Sequence, residues 1–112
     1  MPFRTPLVVR FGDLDPAGIV YYPRYGHLCH VAMEEFFQAA VGVDYPALNR
    51  DHDVGFPVVR VETDFVRPLR YGDDLEIEVT VTRVGTTSVE WLYRFLHRGV
   101  EAPAAVCRTV TV

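Results

Sequence analysis

Apolar and polar residues alternate most cleanly where Leu75, Ile77, Val79 and Val81 interleave with Glu76, Glu78, Thr80 and Thr82, which predicts a strand with one buried and one wet face. Gly85 marks a hairpin into a second alternating run from Thr87 to His97, with Val89, Trp91, Tyr93 and Phe95 on one side and Glu90, Leu92, Arg94 and Leu96 on the other. Gly99 turns the chain again into a strand from Ala102 to Val112, and Phe56 to Val66 alternates well enough to supply another. Near the start, Phe3 to Phe11 reads as a strand whose apolar run Leu7, Val8 and Val9 is bounded by Pro6 and Gly12. The period changes between Pro23 and about Val41, where Tyr25, Leu28, Cys29, Ala32, Phe36 and Ala40 recur at helical spacing while His27, His30, Glu34 and Gln38 line another face. A helix of about 19 residues is roughly 28 Å long, enough to cross a small sheet, and Gly42 stands where a C-terminal glycine ends one. Asp44 to Asp51 predicts one more helical turn capped by Asp44, after which His52 to Gly55 returns the chain to the sheet.

One strand, one long helix and then four strands define an α+β fold in a single domain over residues 1–112: a five-stranded antiparallel sheet with one apolar helix against it. One helix cannot cover five strands. An edge and apolar surface stay unpaired, so a homodimer is the expected state, with pairing of dimers into a homotetramer left open.

Composition narrows the chemistry. A net charge of −4 lacks the basic face that a phosphate backbone requires, which argues against nucleic acid. All 11 basic residues are Arg, so lysine Schiff-base chemistry is excluded and guanidinium groups are the side-chain cations open to a phosphate. No apolar run approaches the roughly 20 residues of a membrane span, and no leader pattern opens the sequence, so the expected compartment is the cytoplasm. Cys29 and Cys107 read as small buried residues rather than a disulfide framework.

The candidate chemistry lies between Gly12 and Tyr25. Pro16 and Gly18 fix a turn behind Asp15, and Pro23 suits the first position of the helix. The Tyr22 amide then sits at the positive helix end, where a backbone donor can hold a developing oxyanion while a carboxylate just upstream attacks or deprotonates what is bound. Asp15 also fits plain turn capping, as Asp before Pro often does. Asp13, with no Pro or Gly directly behind it, reads as a structural or charge-tuning neighbour.

This stretch, Phe11-Gly12-Asp13-x-Asp15-Pro16-Ala17-Gly18-Ile19-Val20-x-Tyr22-Pro23-x-Tyr25, together with the long helix, the Gly55-x-Pro57 entry to a strand and the four-strand tail, resembles the 4-hydroxybenzoyl-CoA thioesterase family of hotdog-fold proteins over nearly the whole chain. The resemblance implies a sheet wrapped around one central helix, subunits joined into a continuous larger sheet, and active sites where two subunits meet. It implies hydrolysis of a small or medium acyl-CoA to free acid and CoA, with Asp15 as nucleophile or general base and the Tyr22 backbone N–H as oxyanion donor. Substrate contacts are expected from Gly18, Val20, Tyr21, Tyr25, Phe56 and Thr87. No cofactor is implied, since coenzyme A is part of the substrate, and no metal. Two departures matter. The loop Arg83-Val84-Gly85-Thr86-Thr87-Ser88 lacks the basic cluster that the 4-hydroxybenzoyl-specific member carries, and position 56 holds Phe where that member has a smaller polar residue. A non-catalytic acyl-CoA or acyl-carrier binding protein, or a hydratase, is the alternative on the same scaffold.

Other constellations carry less. His27, His30 and Glu34 share a polar helix stripe and read as solvated or locally bonded rather than as metal ligands. Glu35 lies near the apolar side and would be worth attention if buried. Tyr21, Tyr22 and Tyr25 can shape a binding mouth, with Tyr25 reading as packing. Arg60, Arg67, Arg70 and Arg83 can meet nucleotide phosphates or simply keep a sheet edge soluble.

Overall fold

In the computed structural model, which describes residues 2–52 and 55–112, the cleanest alternation builds the middle of the sheet. Strands β1 (Phe3–Leu7), β2 (Val58–Phe65), β3 (Leu75–Val84), β4 (Val89–His97) and β5 (Ala105–Thr111) form one five-stranded antiparallel sheet in the order β1-β3-β4-β5-β2. Ile77 of β3 faces Phe95 of β4, which faces Ala105 of β5, which faces Phe65 of β2, so a single row of apolar side chains crosses the sheet. Leu75, Ile77, Val79, Trp91, Tyr93 and Phe95 are buried on the inner face. There the Trp91 indole N–H donates to Thr111 Oγ1 at 3.0 Å.

Helix α1 (Arg24–Phe36) lies on that face and buries Tyr25, Leu28, Cys29 and Ala32 of the expected stripe, together with Met33, which that stripe does not include. It continues as a wider π-turn over Phe37–Val41 and stops at Gly42, whose φ of 82° needs a residue without Cβ. The wider turn shifts the phase of the stripe, so Ala40, expected on the apolar side, is exposed. Glu35 is exposed as well. Phe36, Phe37, Tyr45, Phe56 and Trp91 close the far end of the core, with Phe37 stacked on Phe56 at 5.2 Å. Helix α2 (Tyr45–His52) follows, and its Asp44 cap accepts the Ala47 N–H at 3.2 Å. Residues 53 and 54, where the chain was expected to return to the sheet, lie outside the described residues.

Two expectations shift at the N-terminal end. Strand β1 stops at Leu7, four residues short of Phe11, and Phe11–Asp13 forms a 3-10 turn instead. The reason is local: the Asp13 N–H bonds back to Arg10 C=O at 2.9 Å, and the Asp13 carboxylate takes the Arg10 N–H at 2.9 Å, so the chain turns before another ladder bond can form.

The two sheet edges differ. On β1, Pro6 removes a donor and Arg4 pairs with Glu76, Glu78 and Glu101, a protected edge. On β2, Val58, Val59, Val61 and Phe65 are 51–60% exposed, and among the described residues no strand pairs with its outer side. That is the unpaired apolar edge expected of one helix over five strands.

On the outer face Glu78 lies buried beneath Arg4 and Arg94. Burial alone pushes its carboxyl up, but hydrogen bonds and charge from Arg94 and Arg4 outweigh that and hold it below its ordinary value of 4.5. A carboxyl depressed in the folded state contributes stability that is present above 4.5 and is lost as pH falls through the lower native value. Glu78→Gln is therefore expected to be less stable than the parent at pH 7, with the gap closing as pH drops below about 4.5, read from urea midpoints across that range. A gap that stays constant with pH contradicts the assignment.

Candidate active site

The Gly12–Tyr25 stretch is laced to itself and to the segment after β2. Asp15 N–H bonds to Ile19 C=O and Gly18 N–H to Asp15 C=O, both at 2.9 Å, while Gly18 takes a φ of 81°. Leu14 bridges Val20 and Ile19 bridges Arg70, and the Val20 N–H donates to Leu69 C=O at 2.9 Å. The Asp15 carboxylate is half-buried, and its Oδ1 accepts the Ala17 N–H at 2.8 Å. Turn capping thus occupies Oδ1, and among the described residues no group bonds Oδ2.

Asp13 has the structural part. Its side chain is 6% exposed, Oδ1 takes Arg24 Nη2 at 2.8 Å and Oδ2 the Arg10 N–H, while its C=O accepts the Tyr21 N–H at 2.8 Å. This clamp fixes the turn against the first residue of α1. Arg24 is the functional neighbour that sequence reasoning missed. It stands eleven positions from Asp13, a spacing that no helix or strand period flags.

Pro23 occupies the cap of α1 rather than its first turn. Around it the backbone donors are nearly all spent. Val20 bonds Leu69, Tyr21 bonds Asp13, Arg24 bonds Tyr21 and Tyr25 bonds Tyr22. The Tyr22 N–H alone, in the run from Val20 to Tyr25, has no acceptor among the described residues, and it precedes the positive end of the helix.

A cleft of ≈ 340 Å³ opens here, lined by Ile19, Val20, Tyr22, Tyr25, Phe65, Val66, Arg67 and Pro68. Tyr25 is buried between Phe65 at 4.9 Å and Phe95 at 5.1 Å, and burial raises its hydroxyl pKa against the effect of a Leu69 backbone hydrogen bond. The Tyr21 ring leans on Tyr22 at 5.5 Å and stays half-exposed. Asp15 adjoins this cleft through Ile19 without being one of its walls.

A second, separate slot lies along α1. Gly26, Cys29, His30 and Met33 face Val58, Val61, Tyr93, Cys107 and Thr109 across a slot of ≈ 160 Å³. Thr109 Oγ1 is buried there beside the Tyr93 hydroxyl. Burial foremost holds the Tyr93 hydroxyl far above its ordinary value, so it stays neutral. The Cys29 and Cys107 thiols meet at the helix–sheet contact. Their mutual hydrogen bond and burial push Cys29 up, while the same bond lowers Cys107 to about 7 against burial, helped by the Thr63 hydroxyl at 3.3 Å.

Thus Asp15, Gly18, Val20, Tyr21, Tyr22 and Tyr25 gather at one end of the sheet. Phe56 and Thr87 do not join them within one protomer. Phe56 packs on Phe37 and Trp91, and Thr87 sits in the β3–β4 hairpin beside the Val84–Val89 pair, the opposite end of the strands. His30 pairs with Glu34 at 2.8 Å, and among the described residues no three metal-binding side chains converge. Among them, too, no helix is long and apolar enough to cross a membrane.

One long helix packed against a five-stranded antiparallel sheet is the hotdog fold of thioester hydrolases. The chain belongs to the thioesterase-like superfamily, whose family model matches residues 9–112. It is similar to the 1,4-dihydroxy-2-naphthoyl-CoA hydrolase of Synechococcus elongatus, 38% identical over 104 residues that span 92% of this chain and 74% of that protein. Among solved structures it resembles a hypothetical protein from Thermus thermophilus, with a TM-score of 0.91 and 26% identity over all of this chain and 82% of that one. A gentisyl-coenzyme A thioesterase is likewise similar, with a TM-score of 0.84 and 28% identity over all of this chain and 86% of that one.

Proposed function

We propose that the protein hydrolyses the thioester of a hydroxylated aromatic acyl-CoA, of the hydroxynaphthoyl or hydroxybenzoyl kind, at a site shared by two subunits. The observation that carries this is the Tyr22 N–H, the one donor from Val20 to Tyr25 without an acceptor among the described residues, opening on an aromatic cleft beside the Asp15 turn. The thioester carbonyl oxygen accepts that N–H, whose fixed orientation favours the charge of the tetrahedral state. Asp15 acts through Oδ2, either by attacking the carbonyl carbon or by taking a proton from the water that does. Collapse of the tetrahedral state expels the CoA thiolate, which is protonated on release. Where water attacked, the free acid remains; where Asp15 attacked, water then hydrolyses the acyl–Asp15 anhydride to free the acid and restore the carboxylate.

The acyl group extends along α1 into the slot of Cys29, Met33, Val61 and Tyr93, where the Tyr93 and Thr109 hydroxyls can meet a ring hydroxyl. The named relatives act on dihydroxynaphthoyl and gentisyl thioesters, which fits such a slot.

The second subunit docks through β2. An isologous antiparallel pairing about Val61 and Glu62 sets the Val58 end of one strand against the Phe65 end of the other. That brings Phe56 and Thr87 of the partner subunit toward the Asp15 end, completing the expected set of substrate contacts. Reduced thiols at Cys29 and Cys107 suit a cytoplasmic setting.

A panel of acyl-CoAs monitored by thiol release tests the reading. Hydroxylated aromatic thioesters are expected to give the highest kcat/KM, ahead of unsubstituted aromatic and straight-chain ones. Binding of every thioester with release from none contradicts it.

A further inference from the structure

The four arginines singled out as candidate phosphate contacts separate cleanly in three dimensions. Arg60 is tied to Glu62 on the outer face of β2, and Arg83 faces Glu90 at 3.6 Å. Elsewhere too, guanidinium groups are consumed by carboxylates: Arg4 and Arg94 by Glu78, Arg24 by Asp13, Arg98 by Asp74 and Arg108 by Asp64. Arg10, Arg67 and Arg70 break that pattern among the described residues, and of these Arg67 and Arg70 share a cleft. Arg67 donates to Ala102 C=O at 2.9 Å and lies 3.4 Å from His97 Nδ1, and Arg70 bonds through its backbone alone. Neither pairs with a carboxylate among the described residues.

Both border one open cleft of ≈ 450 Å³, with Pro68, Asp73, His97 and Val100 as the remaining walls. The acid in it is already engaged, since Asp73 Oδ2 takes the Arg70 N–H at 2.9 Å and His97 Nε2 at 3.1 Å. In a chain of net charge −4, two guanidinium groups against the single carboxylate of Asp73 make this hollow a local reversal of sign. The hollow also shares Arg67 and Pro68 with the tyrosine-lined cleft at Tyr22. Its position is fixed by the Ile19–Arg70 bridge and the Val20–Leu69 hydrogen bond that tie it to the Asp15 turn.

We propose that Arg67 and Arg70 form the phosphate subsite for the CoA part of the substrate. The inference rests on the thioesterase reading and orients the ligand: phosphates at Arg67 and Arg70, pantetheine arm over Pro68 and Ile19, thioester at Tyr22, acyl group along α1. The forked guanidinium groups suit phosphate oxygens bidentately.

The test compares one acyl group carried on CoA with the same group carried on N-acetylcysteamine, which has no phosphate. For Arg70→Gln the ratio of kcat/KM values, CoA over N-acetylcysteamine, is expected to fall about tenfold, and for Arg67→Gln/Arg70→Gln about a hundredfold. An unchanged ratio in the double variant overturns the proposal, whatever its absolute activity. Calorimetric titration with CoA itself separates this from the thioesterase reading. If no thioester is turned over by the parent protein, weaker CoA binding by at least tenfold in the double variant still supports the subsite. Equal affinity in both proteins, or no CoA binding by the parent, overturns it.

Discussion

Asp15→Asn is expected to lower kcat by about 10²–10⁴-fold while leaving the fold intact. The asparagine side-chain oxygen can keep the 2.8 Å bond from the Ala17 N–H, so the turn that Asp15 caps survives the exchange. What disappears is the negative charge and basicity of the second oxygen. The substitution therefore separates capping from chemistry at a single residue, which Asp15→Ala would not do. CoA release measured with a thiol reagent reports the chemistry, and a thermal unfolding midpoint reports the turn. The change in stability is expected within about 0.5 kcal/mol. Full activity in Asp15→Asn contradicts a catalytic Asp15.

Val61→Lys is expected to abolish the dimer proposed through β2 and most of the activity together. Val61 stands on the unpaired edge strand, 56% exposed in the single chain and beside the slot that runs along α1. Twofold symmetry duplicates the change, so two ammonium groups are forced into one contact. Several kcal/mol per buried ion and their mutual repulsion raise the dimer dissociation constant by at least about 10³-fold. The isolated protomer keeps its fold because the side chain is already solvated there. Sedimentation velocity over a concentration series gives the oligomeric state, and the specific activity of the same samples is expected to fall in step with it. A monomeric variant with undiminished turnover shows a site complete within one chain.

The strands and the central helix were legible because their signals are periodic and local. Leu75, Ile77 and Val79 alternate, Leu28, Cys29 and Ala32 recur at helical spacing, and Asp44 and Gly42 punctuate as caps do. The boundary of β1 was not legible. Its apolar run continues through Val9, and only the return of Arg10 onto Asp13 stops the strand. Glu35 is out in solvent because, on the regular part of α1 before the π-turn, it flanks the stripe of Leu28, Cys29, Ala32 and Met33 rather than joining it. The site was half visible. The Asp15 turn and the Tyr22 amide follow from proline and glycine positions in one short stretch. The Asp13–Arg24 clamp and the difference between Arg67 or Arg70 and Arg60 or Arg83 depend on which side chains meet across the fold, and linear spacing does not carry that.

The most direct test is a structure bound to an analogue in which a methylene group inserted between sulfur and carbonyl converts the aromatic acyl-CoA thioester into an uncleavable ketone. The expected result places the ketone oxygen within about 3 Å of the Tyr22 amide nitrogen and Asp15 Oδ2 facing the carbonyl carbon, directly or across one water. A ketone bound away from Tyr22, with Asp15 touching neither the ligand nor such a water, would contradict the account.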